Sequence, residues 1–72
     1  MVEELYKVIV VDGDKEGGIL TNNSVGGIID DMQEIEVSMQ EVQLRVFDGT
    51  EYRKATIAEM DMFSVIYYMI AD

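Results

Sequence analysis

The sequence predicts an α+β domain in which an antiparallel sheet of four or five strands packs on a C-terminal helix. Residues 5–11, LYKVIVV, are β-branched and aromatic and end at Asp12-Gly13, as a strand followed by a turn does. Polar and apolar residues then alternate through the middle of the chain up to Asp48-Gly49, a hairpin signal. A helix-capping pattern introduces an almost wholly apolar segment, Ile57 to Ile70. Because the 72 residues contain no linker or internal repeat, we expect a single domain over residues 1–72.

The first two strands are expected to form a hairpin that leads to a short helix. The loop from Asp12 to Gly18 turns the chain, and residues 19–21 return it as the second strand. Ser24 and the two asparagines before it are N-cap candidates for a helix from Val25 to Met32. The pair Gly26-Gly27 costs such a helix about 1 kcal/mol per glycine relative to alanine, so a structured loop is the alternative.

The alternation in the middle of the chain changes phase. Apolar residues fall first on odd and then on even positions: Ile35, Val37, Met39, Val42, Leu44 and Val46. Because side chains in a strand alternate with a period of two, one straight strand would turn its apolar face over midway. A bulge or turn near Gln40-Glu41 is therefore predicted to reset the phase, and a bulge or sharp bend is favoured because Gln-Glu is poor chemistry for a two-residue turn. In this interpretation Glu34 and Glu36 share one face of a strand and lie about 6.6–6.8 Å apart.

The last hairpin is expected to lead directly into the C-terminal helix. The chain turns at Asp48-Gly49 and returns as a strand over residues 52–55. Thr56 and Glu59 match the capping box, in which each side chain accepts a hydrogen bond from the other residue's backbone amide. A helix from Ile57 to Ile70 follows.

This helix is apolar at 11 of its 14 positions, which cover almost its whole circumference. A helix that is apolar on all sides is normally buried on all sides, and one sheet covers only one side. We therefore expect a homodimer with this helix at the interface; the alternative is a helix with an exposed apolar edge. The expected interface residues are Met62, Phe63, Ile66, Tyr67 and Ile70.

The composition removes most catalytic and metal-binding chemistry. The chain has no His and no Cys, which leaves no zinc site and no imidazole to activate a serine. A chain of 72 residues also has little room for a substrate cleft. We expect no enzyme, no cofactor and no metal. The alternative is a calcium module, since residues 12–19 resemble the start of an EF-hand loop, but Asn23 stands where that loop needs a bidentate Glu.

The sequence gives no sign of a membrane or secretory protein. No apolar run approaches the roughly 20 residues of a membrane span. The chain begins Met1-Val2-Glu3-Glu4, which is acidic, whereas a signal peptide begins with a basic segment. Absence of cysteine agrees with a reducing compartment, so we expect a cytoplasmic location.

The charge is the strongest functional signal. Fifteen acidic residues face five basic ones, for a formal charge of −10, whereas solubility of a small domain needs about 2–8 units. Such self-repulsion costs stability and disfavours nucleic acid, but it suits a partner with a basic surface. The carboxylates expected to contact that partner are Asp30, Asp31, Glu34 and Glu36, followed by Asp12, Asp14 and Glu16.

A small, cysteine-free, acidic chain with runs such as IIDDMQEIEVSM resembles, at the level of class, the DNA-mimic proteins that phages make. Those proteins block host DNA-binding proteins, among them HU-type nucleoid proteins, DNA repair enzymes, nucleases and RNA polymerase. The resemblance implies an inhibitor of such a protein in the bacterial cytoplasm, and it transfers no functional residue. The alternative function is a small homodimeric adaptor that acts through its apolar C-terminal helix.

Overall fold

The computed structural model describes residues 3–71 and confirms the α+β architecture. Its strands and helices are β1 (Tyr6–Val10), β2 (Ile19–Asn22), α1 (Val25–Glu34), β3 (Val42–Phe47), β4 (Tyr52–Lys54) and α2 (Ile57–Ala71). The strands form one antiparallel sheet in the order β2-β1-β3-β4. The core joins the helices to one face of this sheet and is built from Val8, Val10, Ile28, Ile29, Met32, Val42, Leu44 and Phe63.

Helix α1 forms despite its two glycines because its start is well capped. The Ser24 hydroxyl accepts a hydrogen bond from the Gly27 amide at 2.9 Å. Gly27 lies against the Asn22 side chain, and a Cβ at Gly27 would come within 2.6 Å of it. The second glycine thus lets the helix approach β2 closely. The helix ends at Glu34, two residues later than the sequence predicts.

The strand predicted through Glu34 and Glu36 is wrong, because these residues form the end of α1. Glu34 is the last helical residue, and Glu36 adopts a left-handed conformation with φ 61°. The Glu36 amide donates to the Gln33 carbonyl and the Val37 amide donates to the Met32 carbonyl, both at 3.1 Å. These two bonds define a Schellman motif, in which the buried Val37 packs near the buried Met32. The polar and apolar residues that alternate over 34–37 therefore belong to the end of a helix and not to a strand.

The bulge or bend predicted near Gln40-Glu41 is wrong, because residues 35–38 form no strand and a helical turn leads into β3. A single 3₁₀ turn covers Met39–Glu41. The Glu41 carboxylate accepts from the Ser38 amide at 2.9 Å and from its hydroxyl at 3.0 Å, which fixes this turn. Strand β3 then buries its even-numbered residues, as the sequence predicts.

The last hairpin and the capping box are both confirmed. The Asp48 carboxylate accepts from the Thr50 and Glu51 amides at 2.9 Å, and Gly49 takes a positive φ of 102°. Thr56 and Glu59 exchange the expected hydrogen bonds, at 2.8 Å to the Glu59 carboxylate and 3.2 Å to the Thr56 hydroxyl. Helix α2 therefore begins where its capping residues place it.

Candidate functional site

Several of the predicted partner-binding carboxylates gather at one end of the molecule. The β1–β2 loop carries Asp12, Asp14 and Glu16, all exposed. The Val11 amide donates to the Glu41 carbonyl at 2.7 Å, so this loop lies beside the start of β3. Since α1 also runs toward this end, its last turn brings further carboxylates there. We call this region, formed by residues 12–16, 34–36 and 41, the acidic end.

Helix α1 carries the other predicted carboxylates. Asp30 and Glu34 are exposed and stand four residues apart, which places their Cβ atoms about 5–6 Å apart on one helix face. Asp31 is half-buried, and its carboxylate accepts from the Asn22 side-chain Nδ2 at 3.5 Å. Glu36 is exposed just beyond the helix. The expected straight strand row of Glu34 and Glu36 is thus replaced by a helix face and a helix end.

Few of the acidic side chains in the described residues form ion pairs with basic side chains of the same chain. Across residues 3–71 we find a single ion pair, between Arg53 and Glu59 at 2.8 Å. It involves none of the seven carboxylates predicted to bind a partner. Further carboxylates, those of Glu3, Glu4, Asp48 and Glu51, lie at the opposite end of the sheet. The surface charge is therefore available to solvent or to a partner.

The loop carboxylates do not converge as a metal site requires. No group of three or more Asp or Glu side chains in the described part of the chain is placed to hold a metal ion. Asp12 instead accepts from the Gly13 amide at 2.9 Å, an ordinary turn contact.

The face of the sheet away from the helices carries a feature that the sequence analysis missed. The strand register places Lys7 beside Arg45, and Arg45 beside Lys54. Three of the five basic residues thus form one row across β1, β3 and β4, which we call the cation row. Like charges on directly opposed strand residues are destabilising. Sequence alternation puts each residue on this face, but only the register reveals that they are neighbours.

No carboxylate from residues 3–71 forms an ion pair with the cation row. Lys7 extends over the Tyr52 ring, with its Nζ 4.4 Å from the ring centroid. Arg45 donates from Nη2 to the Gln43 side chain at 2.9 Å, while its Nε is shielded from solvent and has no hydrogen-bond partner. Apolar residues flank the row, and Ile19 among them is 59% exposed.

Helix α2 turns only one side toward the core. On its outer side Met62 and Val65 are each 58% exposed and Met69 is 73% exposed. Together with Asp61 and Tyr68, which are also exposed, they form a continuous surface that we call the α2 stripe. The apolar side that the sequence predicts to be exposed or covered by a partner is therefore the α2 stripe.

The predicted dimer-interface residues divide between the core and the surface. Phe63 is only 1% exposed and belongs to the core of the chain itself, so its assignment to an interface is wrong. Ile66 and Tyr67 are half-buried against that core. Met62 and Ile70 are exposed. The helical period explains the division, because Phe63 and Met62 point about 100° apart.

Neither helix of residues 3–71 has the length and apolar character needed to cross a membrane. No family model, curated protein or solved structure matches this chain.

Proposed function

We propose that this protein is an acidic inhibitor that occupies the DNA-binding surface of a basic host protein and keeps DNA away from it. The class of small phage-made DNA mimics, which the chain resembles in size and charge, provides the precedent. The observation that carries the proposal is the near absence of internal neutralisation: a formal charge of −10 with one ion pair across residues 3–71.

The proposed contact surface consists of the acidic end and the adjoining face of α1. Asp30 and Glu34 lie on rigid helical backbone, and Asp12, Asp14 and Glu16 lie on a loop tied to β3 through the Val11–Glu41 hydrogen bond. A DNA-binding groove offers Lys and Arg side chains spaced for phosphates. Carboxylates held on a folded domain bind those cations and release the counterions of both surfaces.

The mechanism is electrostatic and stoichiometric. A strongly charged surface steers association, which makes binding fast at low ionic strength. The same charge makes the affinity fall steeply as salt rises, as it does for DNA itself. Inhibition is then competitive with DNA, and one inhibitor molecule or assembly occupies one DNA site.

A pull-down from bacterial lysate at low salt, with mass spectrometry of the eluate, tests the class of partner. We expect enrichment of basic DNA-binding proteins, and we expect duplex DNA added to the column to displace them. The captured protein is then purified and its DNA binding is measured by fluorescence anisotropy with increasing amounts of inhibitor. Capture of only neutral or acidic proteins, or capture that DNA does not displace, would contradict the proposal.

The α2 stripe favours a second candidate, a protein–protein adaptor that binds through this helix. Apolar contacts tolerate salt, whereas contacts between carboxylates and cations do not. Repeating the pull-down at high salt separates the two functions. A partner retained at high salt and lost in the Met62→Gln/Met69→Gln variant would support the adaptor.

A further inference from the structure

We propose that copies of this protein associate head to tail, with the α2 stripe of one copy packed on the cation-row face of the sheet of the next. This inference goes beyond the proposed function and does not depend on it. Both surfaces face away from the core, because Val8, Leu44 and Phe63, which lie on the other face of the sheet and on the inner side of α2, share one buried cluster.

Contact between two sheet faces is disfavoured by charge. Each face presents Lys7, Arg45 and Lys54 in one row. A symmetric pairing of these faces would bring six cations together, and the strands themselves add no carboxylate to this face. The Glu4 carboxylate, just before β1, accepts from the Thr21 hydroxyl at 3.5 Å beside Lys7 but forms no ion pair with the row. Burying these like charges without partners costs more desolvation free energy than burial of the flanking apolar residues contributes.

Contact between two helix layers is disfavoured in the same way. Neither α1 nor α2 contains a basic residue, whereas together they contain Asp30, Asp31, Glu34, Glu59 and Asp61. A symmetric dimer through the α2 stripe would therefore bring two Asp61 carboxylates together with no cation from either helix. The Arg53 guanidinium, which contacts α2, is already bound to Glu59.

The third pairing, helix layer on sheet face, brings opposite charges together. Asp61 lies within the α2 stripe, one turn before Val65, where it meets a surface that offers three cations. Met62, Val65 and Met69 supply apolar area for the exposed Ile19 and its neighbours on the sheet. One contact thus covers both unpartnered apolar surfaces and brings the Asp61 carboxylate to the cation row.

Such a contact is heterologous, since each copy uses two different surfaces. It closes into a ring or continues as an open chain, and it does not stop at a symmetric dimer. Each added copy also brings a net charge of −10, so long-range repulsion opposes growth. At about 150 mM salt this repulsion is screened beyond about 8 Å, whereas a buried contact is screened much less.

Sedimentation velocity at about 150 mM NaCl, over concentrations from about 10 μM to about 1 mM, tests the proposal. The wild type should form species larger than a dimer as concentration rises. The sheet-face variant Ile19→Glu/Lys54→Glu and the stripe variant Val65→Gln/Met69→Gln should each remain monomeric. All four positions are exposed, so both variants should keep the wild-type circular dichroism spectrum and a cooperative thermal transition.

Mixing the two variants gives the decisive result. The sheet-face variant retains an intact stripe and the stripe variant retains an intact sheet face, so the mixture should form a 1:1 heterodimer and nothing larger. A wild type that stays monomeric would overturn the proposal, as would a mixture that stays monomeric. Self-association of the sheet-face variant at wild-type strength would also overturn it and assign the contact to two stripes. If either double variant fails to fold, Lys54→Glu and Met69→Gln replace them with the same expected outcomes.

Discussion

The guanidinium of Arg53 and the carboxylate of Glu59 meet in a bidentate ion pair, with Nη1–Oε1 and Nη2–Oε2 distances of 2.8 and 3.0 Å. Glu59 also accepts from the Thr56 amide at 2.8 Å. One carboxylate therefore caps α2 and ties it to β4. The Arg53 hydrogen bond, followed by that of Thr56, lowers the pKa of Glu59 from 4.5 to about 2.

This lowered pKa predicts an acid-sensitive contribution to stability. Because the pKa is lower in the folded state, ionised Glu59 stabilises the fold above about pH 4.5 and this stabilisation is lost as pH falls toward about 2. Glu59→Gln keeps a capping side chain but removes the charge. The variant should be less stable than the wild type at neutral pH, and the difference should shrink toward zero near pH 2, as measured by urea denaturation.

Arg53→Gln provides the control for this pH dependence. It removes the larger cause of the pKa shift and leaves the Thr56 amide in place. The difference in unfolding free energy between Arg53→Gln and the double variant Arg53→Gln/Glu59→Gln should therefore vary less with pH than the difference in the wild-type background. Equal variation in both backgrounds would show that the ion pair does not set the pKa of Glu59.

The two adjacent glycines of α1 should respond oppositely to the same substitution. A Cβ at Gly26 would meet no atom within 4 Å, so Gly26→Ala should stabilise the protein by about 0.5–1 kcal/mol. A Cβ at Gly27 would collide with the Asn22 side chain, whose carbonyl oxygen also accepts from the Ser24 amide. Gly27→Ala should therefore destabilise the protein by about 1–3 kcal/mol. Equal changes in the urea midpoint would contradict this packing of α1 on β2.

The sequence was most informative where a single local interaction decides the structure. Thr56 and Glu59 are three residues apart, and Asp48-Gly49 forms its turn from its own backbone, so both features were predicted correctly. It was misleading at Glu36, where a non-glycine residue takes the left-handed position that usually identifies a Schellman motif by its glycine. It was silent on the cation row, because the row depends on the register between strands distant in sequence.

The left-handed conformation of Glu36 predicts that glycine is better there. A non-glycine residue in this conformation costs the folded state about 1–2 kcal/mol. Glycine avoids this cost, but its greater flexibility in the unfolded chain offsets part of the gain. Glu36→Gly should therefore raise the unfolding free energy by about 0.5–1 kcal/mol. Glu34→Gly removes the same charge from the last helical residue and should lower the unfolding free energy by up to about 1 kcal/mol. A loss of stability in both variants would rule out the left-handed conformation at Glu36.

The proposed inhibitor surface predicts that the position of the charges matters more than their sum. Asp30→Lys/Glu34→Lys reverses two exposed carboxylates on the outer face of α1, whereas Glu3→Lys/Glu51→Lys makes the same change in net charge at the opposite end of the sheet. Against the captured DNA-binding protein, the first variant should lose about tenfold or more in affinity and show a smaller slope of log K against log salt, because two cations on the partner lose their carboxylates. The second variant should show a much smaller loss of affinity, since it alters only the long-range electrostatic field.

Titrations at several salt concentrations measure both the affinity and the salt slope. Equal losses in the two variants would mean that net charge alone drives binding, and an unchanged affinity in the first would remove α1 from the contact.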